Sequence, residues 1–324
     1  MRPPLRPLFE RQAIDDAKAK YNISDIAARW IAKPLQRAGH EKVGLCLFHQ
    51  ERTASLRFND PKGTFYCFGC GSSGDIVELV MRHEGLSFPD ALRWLGAAEL
   101  PPVDPAERHR LIEEERLDRI QKREDAVRFF ARADLIQGSP AEIYLRARGI
   151  TIALPDTLRF GMVPKRKNDA GEWERDHPCL IGGCQDGAGN FVGIQRVFFK
   201  NDDPTLGKAD CKLSLGQVKG AALRLGPAHS EVALTEGPED ALSIMQDQPE
   251  RAVWVALGTG LMPFVEFPEI VWSVVIAGQN DEPGKAAVDR AADALAERGY
   301  GVRKVYPDAR FNDWNDWLRG IERG

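Results

Sequence analysis

Two pairs of metal-ligand residues constrain this chain more than any other feature: Cys46-x-x-His49 and, after 17 intervening residues, Cys67-x-x-Cys70. Thiolate sulfur and imidazole nitrogen are zinc ligands, and a two-residue spacer lets one tight turn present two of them to one ion. Two such turns close a tetrahedral shell and leave no position for water. The spacing therefore predicts a structural zinc site of Cys46, His49, Cys67 and Cys70, not a catalytic one. Gly69 and Gly71 suit the second turn, where backbone N–H groups bend toward thiolates. The other cysteines, Cys179, Cys184 and Cys211, stand among apolar neighbours and read as core residues. Nothing marks the chain for export, so reduced thiols and a cytoplasmic setting are expected.

The rest of the sequence reads as an α/β multidomain protein. A zinc-binding domain with flanking helices is expected over 1–98. Its apolar positions Ile14, Ala17, Tyr21, Ile26, Ala27 and Trp30 recur at helical spacing. Helices from Asp75 to His83 and from Phe88 to Leu95 follow the cysteines, with Ser87 as a cap. Residues 99–134 open with Pro101, Pro102 and Pro105 and continue as a charged, solvated linker helix. Residues 135–230 form a mixed α+β region with a hairpin of Pro178–Gly183 and Phe191–Phe199. Residues 231–324 alternate strands (Glu231–Thr235, Ala252–Leu257, Val271–Ala277, Gly301–Tyr306) with helices, which argues a parallel sheet.

No apolar run approaches the roughly 18 to 20 residues of a membrane span. The basic, proline-rich start Met1–Phe9 lacks the apolar stretch of a secretory signal. The net charge of −4 gives no global attraction to nucleic acid, so any such binding needs local patches and bound cations. One patch is at hand. Phe48, Phe58, Phe65, Tyr66 and Phe68 interleave with Lys42, Arg52, Arg57 and Lys62 around the cysteines. Rings that stack on bases beside cations that meet phosphates suit single-stranded DNA. In so small a domain Phe48 and Phe68 are expected inside, and the basic residues on a DNA-facing surface.

A second chemical signal is acidic. Thr235-Glu236-Gly237-Pro238-Glu239-Asp240 follows one hydrophobic strand, and Gly278-Gln279-Asn280-Asp281-Glu282 follows another. Asn312-Asp313-Trp314-Asn315-Asp316 lies near the C-terminus. Carboxylates at the carboxyl ends of parallel strands face the crevice where α/β sheets hold ligands. Glu236, Asp240, Asp281, Asp313 and Asp316 are therefore candidates to hold magnesium or manganese through oxygen, although each alone could be a cap or a surface charge. Lys208 and Lys212, four apart, would share a helical face and could grip phosphates; a plain surface pair reads equally well. Arg196 is a similar candidate.

The run Gly44-Leu-Cys-Leu-Phe-His-Gln-Glu-Arg-Thr-Ala-Ser-Leu and the run Phe65-Tyr-Cys-Phe-Gly-Cys-Gly-Ser-Ser-Gly-Asp resemble the zinc-binding domain of DnaG-type primases, over roughly residues 20–98. The order strand, Glu-Gly-x-x-Asp, helix, then a strand ending in an acidic Gly loop, resembles the Toprim domain that those primases share with topoisomerases and some nucleases. Asp313-Trp-Asn-Asp-Trp-Leu318, Tyr144-Leu-Arg-Ala-Arg-Gly-Ile150, His177-Pro-Cys-Leu180 and Lys208-x-x-x-Lys212-x-x-x-Gly216 look most like phage and plasmid primases. The resemblance implies a zinc-ribbon-like N-terminal domain that engages template and a Toprim-like C-terminal domain with catalytic divalent metal. It implies synthesis of short RNA primers on single-stranded DNA from ribonucleoside triphosphates.

One departure stands out. The family's acidic loop carries Asp-x-Asp, and its first position here is Gln279. Either fewer anionic ligands suffice or the site is weakened. The competing reading is thus a catalytically weak or inactive primase-like protein that binds single-stranded DNA; a Toprim nuclease is a third. No Gly-x-x-x-x-Gly-Lys-Ser/Thr occurs, so a separate replicative helicase is expected as partner.

Overall fold

The computed structural model describes residues 8–101, 103–168 and 170–323. The proline-rich start, up to residue 7, and Pro102 lie outside them. The chain packs as two units, one ending at Asp118 and one running from Arg119. Among the described residues no helix is long and apolar enough to cross a membrane.

In the first unit, helices α1 (Leu8–Lys20) and α2 (Ile23–Ala27) precede five short strands, β1 (Gln36–Ala38), β2 (Glu41–Gly44), β3 (Leu56–Asn59), β4 (Thr64–Cys67) and β5 (Ser73–Asp75). The strands pair antiparallel in chain order. Helices α3 (Ile76–Glu84) and α4 (Phe88–Ala97) follow. Asp75 caps α3 by accepting from Val77 and Glu78 N–H, and Ser87 caps α4 by accepting from Asp90 N–H, each satisfying a helix donor that has no partner within the helix. Ile14, Tyr21, Ile26, Leu56, Phe58, Phe65, Leu79 and Leu95 share one core. The helical periodicity read at residues 14–30 is thus a core-facing stripe.

Helix α5 (Pro105–Arg132) is not a freely solvated connector. In the first unit Arg108 donates to the carbonyls of Lys18, Tyr21 and Asp60. In the second unit Asp125, Ala126 and Phe129 are buried. Few apolar residues are needed for this, because the first half is held by hydrogen bonds and the second by one turn of its face.

The second unit centres on a single ten-stranded sheet. Its elements are β6 (Asp134–Leu135), α6 (Pro140–Ala147), β7 (Leu158–Pro164), β8 (Asp176–Gln185), β9 (Phe191–Phe199), β10 (Ala209–Gly216), β11 (Ala222–Arg224), β12 (Glu231–Thr235), α7 (Pro238–Asp247), β13 (Val253–Val255), β14 (Ser273–Ala277), α8 (Glu282–Glu297), β15 (Gly301–Val305) and α9 (Trp314–Arg319). Strands β13-β12-β14-β15 run parallel, as their alternation with helices demands. Strands β7 to β10 are antiparallel. Strand β11 pairs with both β8 and β13 and so joins the stretches expected at 135–230 and 231–324 into one sheet.

Candidate metal centres

The knuckle after β2 carries Cys46 and His49, and the one after β4 carries Cys67 and Cys70. Their ligand atoms all lie within 4.8 Å of one another. Cys46 Sγ is 3.8 Å from Cys70 Sγ, and His49 Nδ1 is 3.8 Å from Cys67 Sγ. A tetrahedron with zinc–sulfur bonds of about 2.3 Å has edges of about 3.8 Å, so the donor set and its spacing fit that ion. Phe48 N–H points at Cys46 Sγ at 3.3 Å and Cys70 N–H at Cys67 Sγ at 3.4 Å. Gly71, at φ +75°, makes the second turn in the left-handed region that glycine enters freely. At Gly69 a β-carbon would come 2.7 Å from His49 Nε2.

Glu51 and Ser55 complete this centre, and neither was singled out from sequence. Glu51 Oε2 lies 3.3 Å from His49 Nε2, which leaves Nδ1 as the ligand nitrogen. Its Oε1 accepts from Cys46 N–H at 2.7 Å and Ser55 N–H at 3.1 Å. Burial alone would raise the Glu51 carboxyl; the hydrogen bonds from Ser55 and Cys46 and the nearby His49 hold it below the usual range. A carboxylate behind a ligating imidazole fixes its tautomer and orientation. The aromatic expectation divides. Phe48 packs on the core, but Phe68 is 54% exposed. It cannot turn inward because Cys67 and Cys70, on either side, must face the ion. It lies instead beneath Arg57 at 5.3 Å and edge-on to Tyr66 at 4.9 Å.

In the second unit, the carboxyl ends of β12 and β14 deliver Glu236 and Asp281. After β13 the chain turns through Leu257, at φ +68°, and Gly258, a backbone strain of order 1–3 kcal/mol for a non-glycine residue. The turn brings Thr259 N–H to the Glu236 carboxylate. Asp281 caps α8, accepting from Gly284 N–H at 2.8 Å. Asp313 caps α9, accepting from Asp316 N–H at 2.7 Å. Buried Asn280 ties the two loops together by donating to the carbonyls of Pro307, Asp308 and Phe311. Trp314 Nε1 adds a hydrogen bond to Gly278 O at 3.0 Å.

The electrostatics of this edge are those of crowded acids. Burial, opposed by Lys212 but reinforced by Asp281, raises Glu236. Burial, then the charge of Asp313, raises Asp240 to about 7. Burial and Asp313 likewise raise Asp316. Glu239 behaves oppositely: burial would raise it, but the Lys212 ammonium overrides this and holds it at about 2. Lys212 is itself raised, burial being outweighed by Glu239. Among the described residues these carboxylates do not form a group of three with all ligand atoms within 4.8 Å.

The lysines lie on no helix. Lys212 is in β10, opposite Val197, on the face where Val197 and Phe199 pack with Tyr144. A register shift between Ala209 and Cys211 breaks the alternation and leaves exposed Lys208 off that face. Arg196, 3% exposed, shares the parity of Ile194 and Phe198 and so sits on the opposite side of the sheet.

Comparison with known proteins assigns these centres to modules. A CHC2 zinc finger matches residues 9–102, a domain of unknown function residues 120–225, and a Toprim domain residues 231–321. The DNA primase of Lactococcus lactis is 30% identical over 334 residues, covering 92% of this chain and 52% of that protein. The DNA primase of Thermotoga maritima is 29% identical over 344 residues, covering 93% and 58%. The chain shares with the DnaG-type primases a CHC2 zinc finger followed by a Toprim domain. It spans about half the length of the curated relatives it matches. Among solved structures, the zinc-binding and RNA polymerase domains of the Aquifex aeolicus primase are 19% identical at a TM-score of 0.44, covering 95% of this chain and 82% of that one.

In this chain the sequence reading gave no site role to Tyr144, Arg148, Glu239, Thr259 or Asn315, although all but Thr259 lie in runs it quoted. Arg148 donates to Asn315 Oδ1 at 3.1 Å, and Asn315 Nδ2 returns to Arg148 O at 2.9 Å. Burial would lower Arg148, but Tyr144 and Glu239 raise it. Tyr144 and Arg148 also lie four apart at the end of α6, a spacing that faces one side.

Proposed function

We propose that this chain synthesises short RNA primers on a single-stranded DNA template, with zinc as the structural ion of the first unit and magnesium or manganese at the sheet edge of the second. The observation that carries the reading is that Glu236 and Asp281 follow the carboxyl ends of the paired parallel strands β12 and β14, where the charge of Asp281 helps to raise Glu236 and Lys212 opposes it. A raised carboxyl such as that of Glu236 is relieved by a divalent cation, for which the carboxylate oxygens of Glu236 and Asp281 are suitable donors. Asp313 and Asp316 would add negative field from the adjoining loop. When bound, such an ion stabilises charge on a reacting phosphate. Lys212 and Arg148 would bind the triphosphate of an incoming ribonucleotide. In the first unit, Arg57, Tyr66 and Phe68 form an outward platform where bases of the template would stack. Unwinding would come from a helicase outside these residues.

The test is primer synthesis on single-stranded DNA with labelled ribonucleotides and Mg²⁺ or Mn²⁺. Labelled oligoribonucleotides that require template support the reading. DNA binding without synthesis, even at high Mn²⁺, overturns it.

A further inference from the structure

We propose that Glu239 and Tyr144 form a positioning pair that holds the Lys212 ammonium at the mouth of the acidic crevice; the inference rests on the polymerase reading above for its substrate, but not for its geometry. Glu239 is 4% exposed and both its oxygens are committed. Oε1 accepts from the Tyr144 hydroxyl at 2.6 Å, and Oε2 meets Lys212 Nζ at 2.6 Å. Tyr144 is fully buried and stacked on Phe199 at 5.0 Å, so its hydroxyl has a fixed place. The phenol thereby fixes the carboxylate, and the carboxylate fixes the ammonium.

The backbone is shaped to admit that ammonium. A β-carbon at Gly237 would come 2.8 Å from Lys212 Nζ and 3.2 Å from Glu239 Oε2. Gly237 is also the N-cap of α7, where the helix dipole disfavours a cation. Lys212, a flexible chain 38% exposed, would not rest there unaided. Glu239 supplies the opposing charge from the first turn of the same helix. Both oxygens of Glu239 are held by groups of the chain, and it serves through Lys212. An ammonium has three donors. One goes to Glu239, leaving two for the phosphates of a nucleoside triphosphate.

The experiment uses the full chain and three variants, Glu239→Gln, Tyr144→Phe and Glu239→Asp, with an amine-reactive probe and peptide mass spectrometry in the absence of nucleotide. Glu239→Gln keeps the side-chain volume and an acceptor for Tyr144. It should label Lys212 at least about fivefold faster than the wild-type chain, while Lys208 labels unchanged. Tyr144→Phe, which removes one hydroxyl, should give a smaller rise in the same direction and decides the matter if Glu239→Gln does not fold. In primer synthesis, Glu239→Gln should raise the nucleotide KM about tenfold while kcat falls less than threefold, and Glu239→Asp should recover part of the loss. Unchanged Lys212 labelling in the folded variants overturns the positioning role. Faster labelling in a chain that makes no primers sinks the polymerase reading and leaves the clamp standing.

Discussion

Gln279 donates a hydrogen bond from Nε2 to Oδ2 of Asp240 at 3.2 Å. The other Asp240 oxygen accepts from Asn315 N–H at 3.2 Å. Both oxygens of this buried carboxylate are thus hydrogen-bonded from within the chain, but the neutral amide at 279 leaves its charge uncompensated. Aspartate at 279 would place a second anion beside Asp240 and demand a cation between them. Gln279→Asp is expected to bind Mn²⁺ about tenfold more tightly by calorimetry, to raise primer synthesis, and to melt earlier than the wild-type chain in EDTA. No change in affinity or synthesis removes the metal role of this loop.

Asp240 also sets a pH dependence. Its carboxyl is raised from an ordinary 3.8 to about 7, by burial first and Asp313 second. Between those values the folded protein holds a proton that the unfolded chain releases, so this group's contribution to stability falls as pH rises and is fully lost above 7. Asp240→Asn should therefore stabilise the metal-free protein at pH 8, by on the order of 2 kcal/mol, and not at pH 4. Thermal unfolding in EDTA at both pH values checks this; equal shifts at both contradict it.

The zinc centre and the acidic edge belong to units with separate cores. Cys67→Ser should abolish stoichiometric zinc and expose the first unit to protease, while fragments from residue 119 onward stay resistant. Loss of both units together would show that the cores depend on each other.

Glu51 holds the zinc-side imidazole from behind. Glu51→Gln is expected to weaken zinc binding about 10- to 100-fold without removing a ligand. Competition with a chelator of known affinity reads this directly, and an unchanged affinity would reduce Glu51 to a local hydrogen-bond acceptor.

The sequence made some of this visible and hid the rest for identifiable reasons. Zinc ligands two residues apart are a local signal, as is Ser87 before its helix. The apolar runs of β12 and β14 were equally plain. The Lys208–Lys212 stretch was read as a helix although Cys211, Leu213 and Leu215 alternate with exposed residues in the period of a strand. Phe68 looked like core because it is apolar, yet its neighbours' zinc geometry turns it outward. Tyr144 and Glu239 are 95 residues apart and meet only through the sheet. No spacing rule could have paired them.

The outward cluster of the first unit makes a separable prediction. Tyr66→Ala or Phe68→Ala should weaken single-stranded DNA binding by about 1–3 kcal/mol with little change in salt dependence. Arg57→Ala should instead flatten the salt dependence by about one counterion. Fluorescence anisotropy across a salt series separates the two, and unaltered binding in all three variants would move the template elsewhere.

The most direct measurement is anomalous diffraction from crystals soaked in Mn²⁺, for the wild-type chain and for Glu236→Gln. The account predicts a peak within bonding distance of both Glu236 and Asp281, lost in the variant. An ion-free crevice at millimolar Mn²⁺, or a peak that persists without the Glu236 carboxylate, would contradict it.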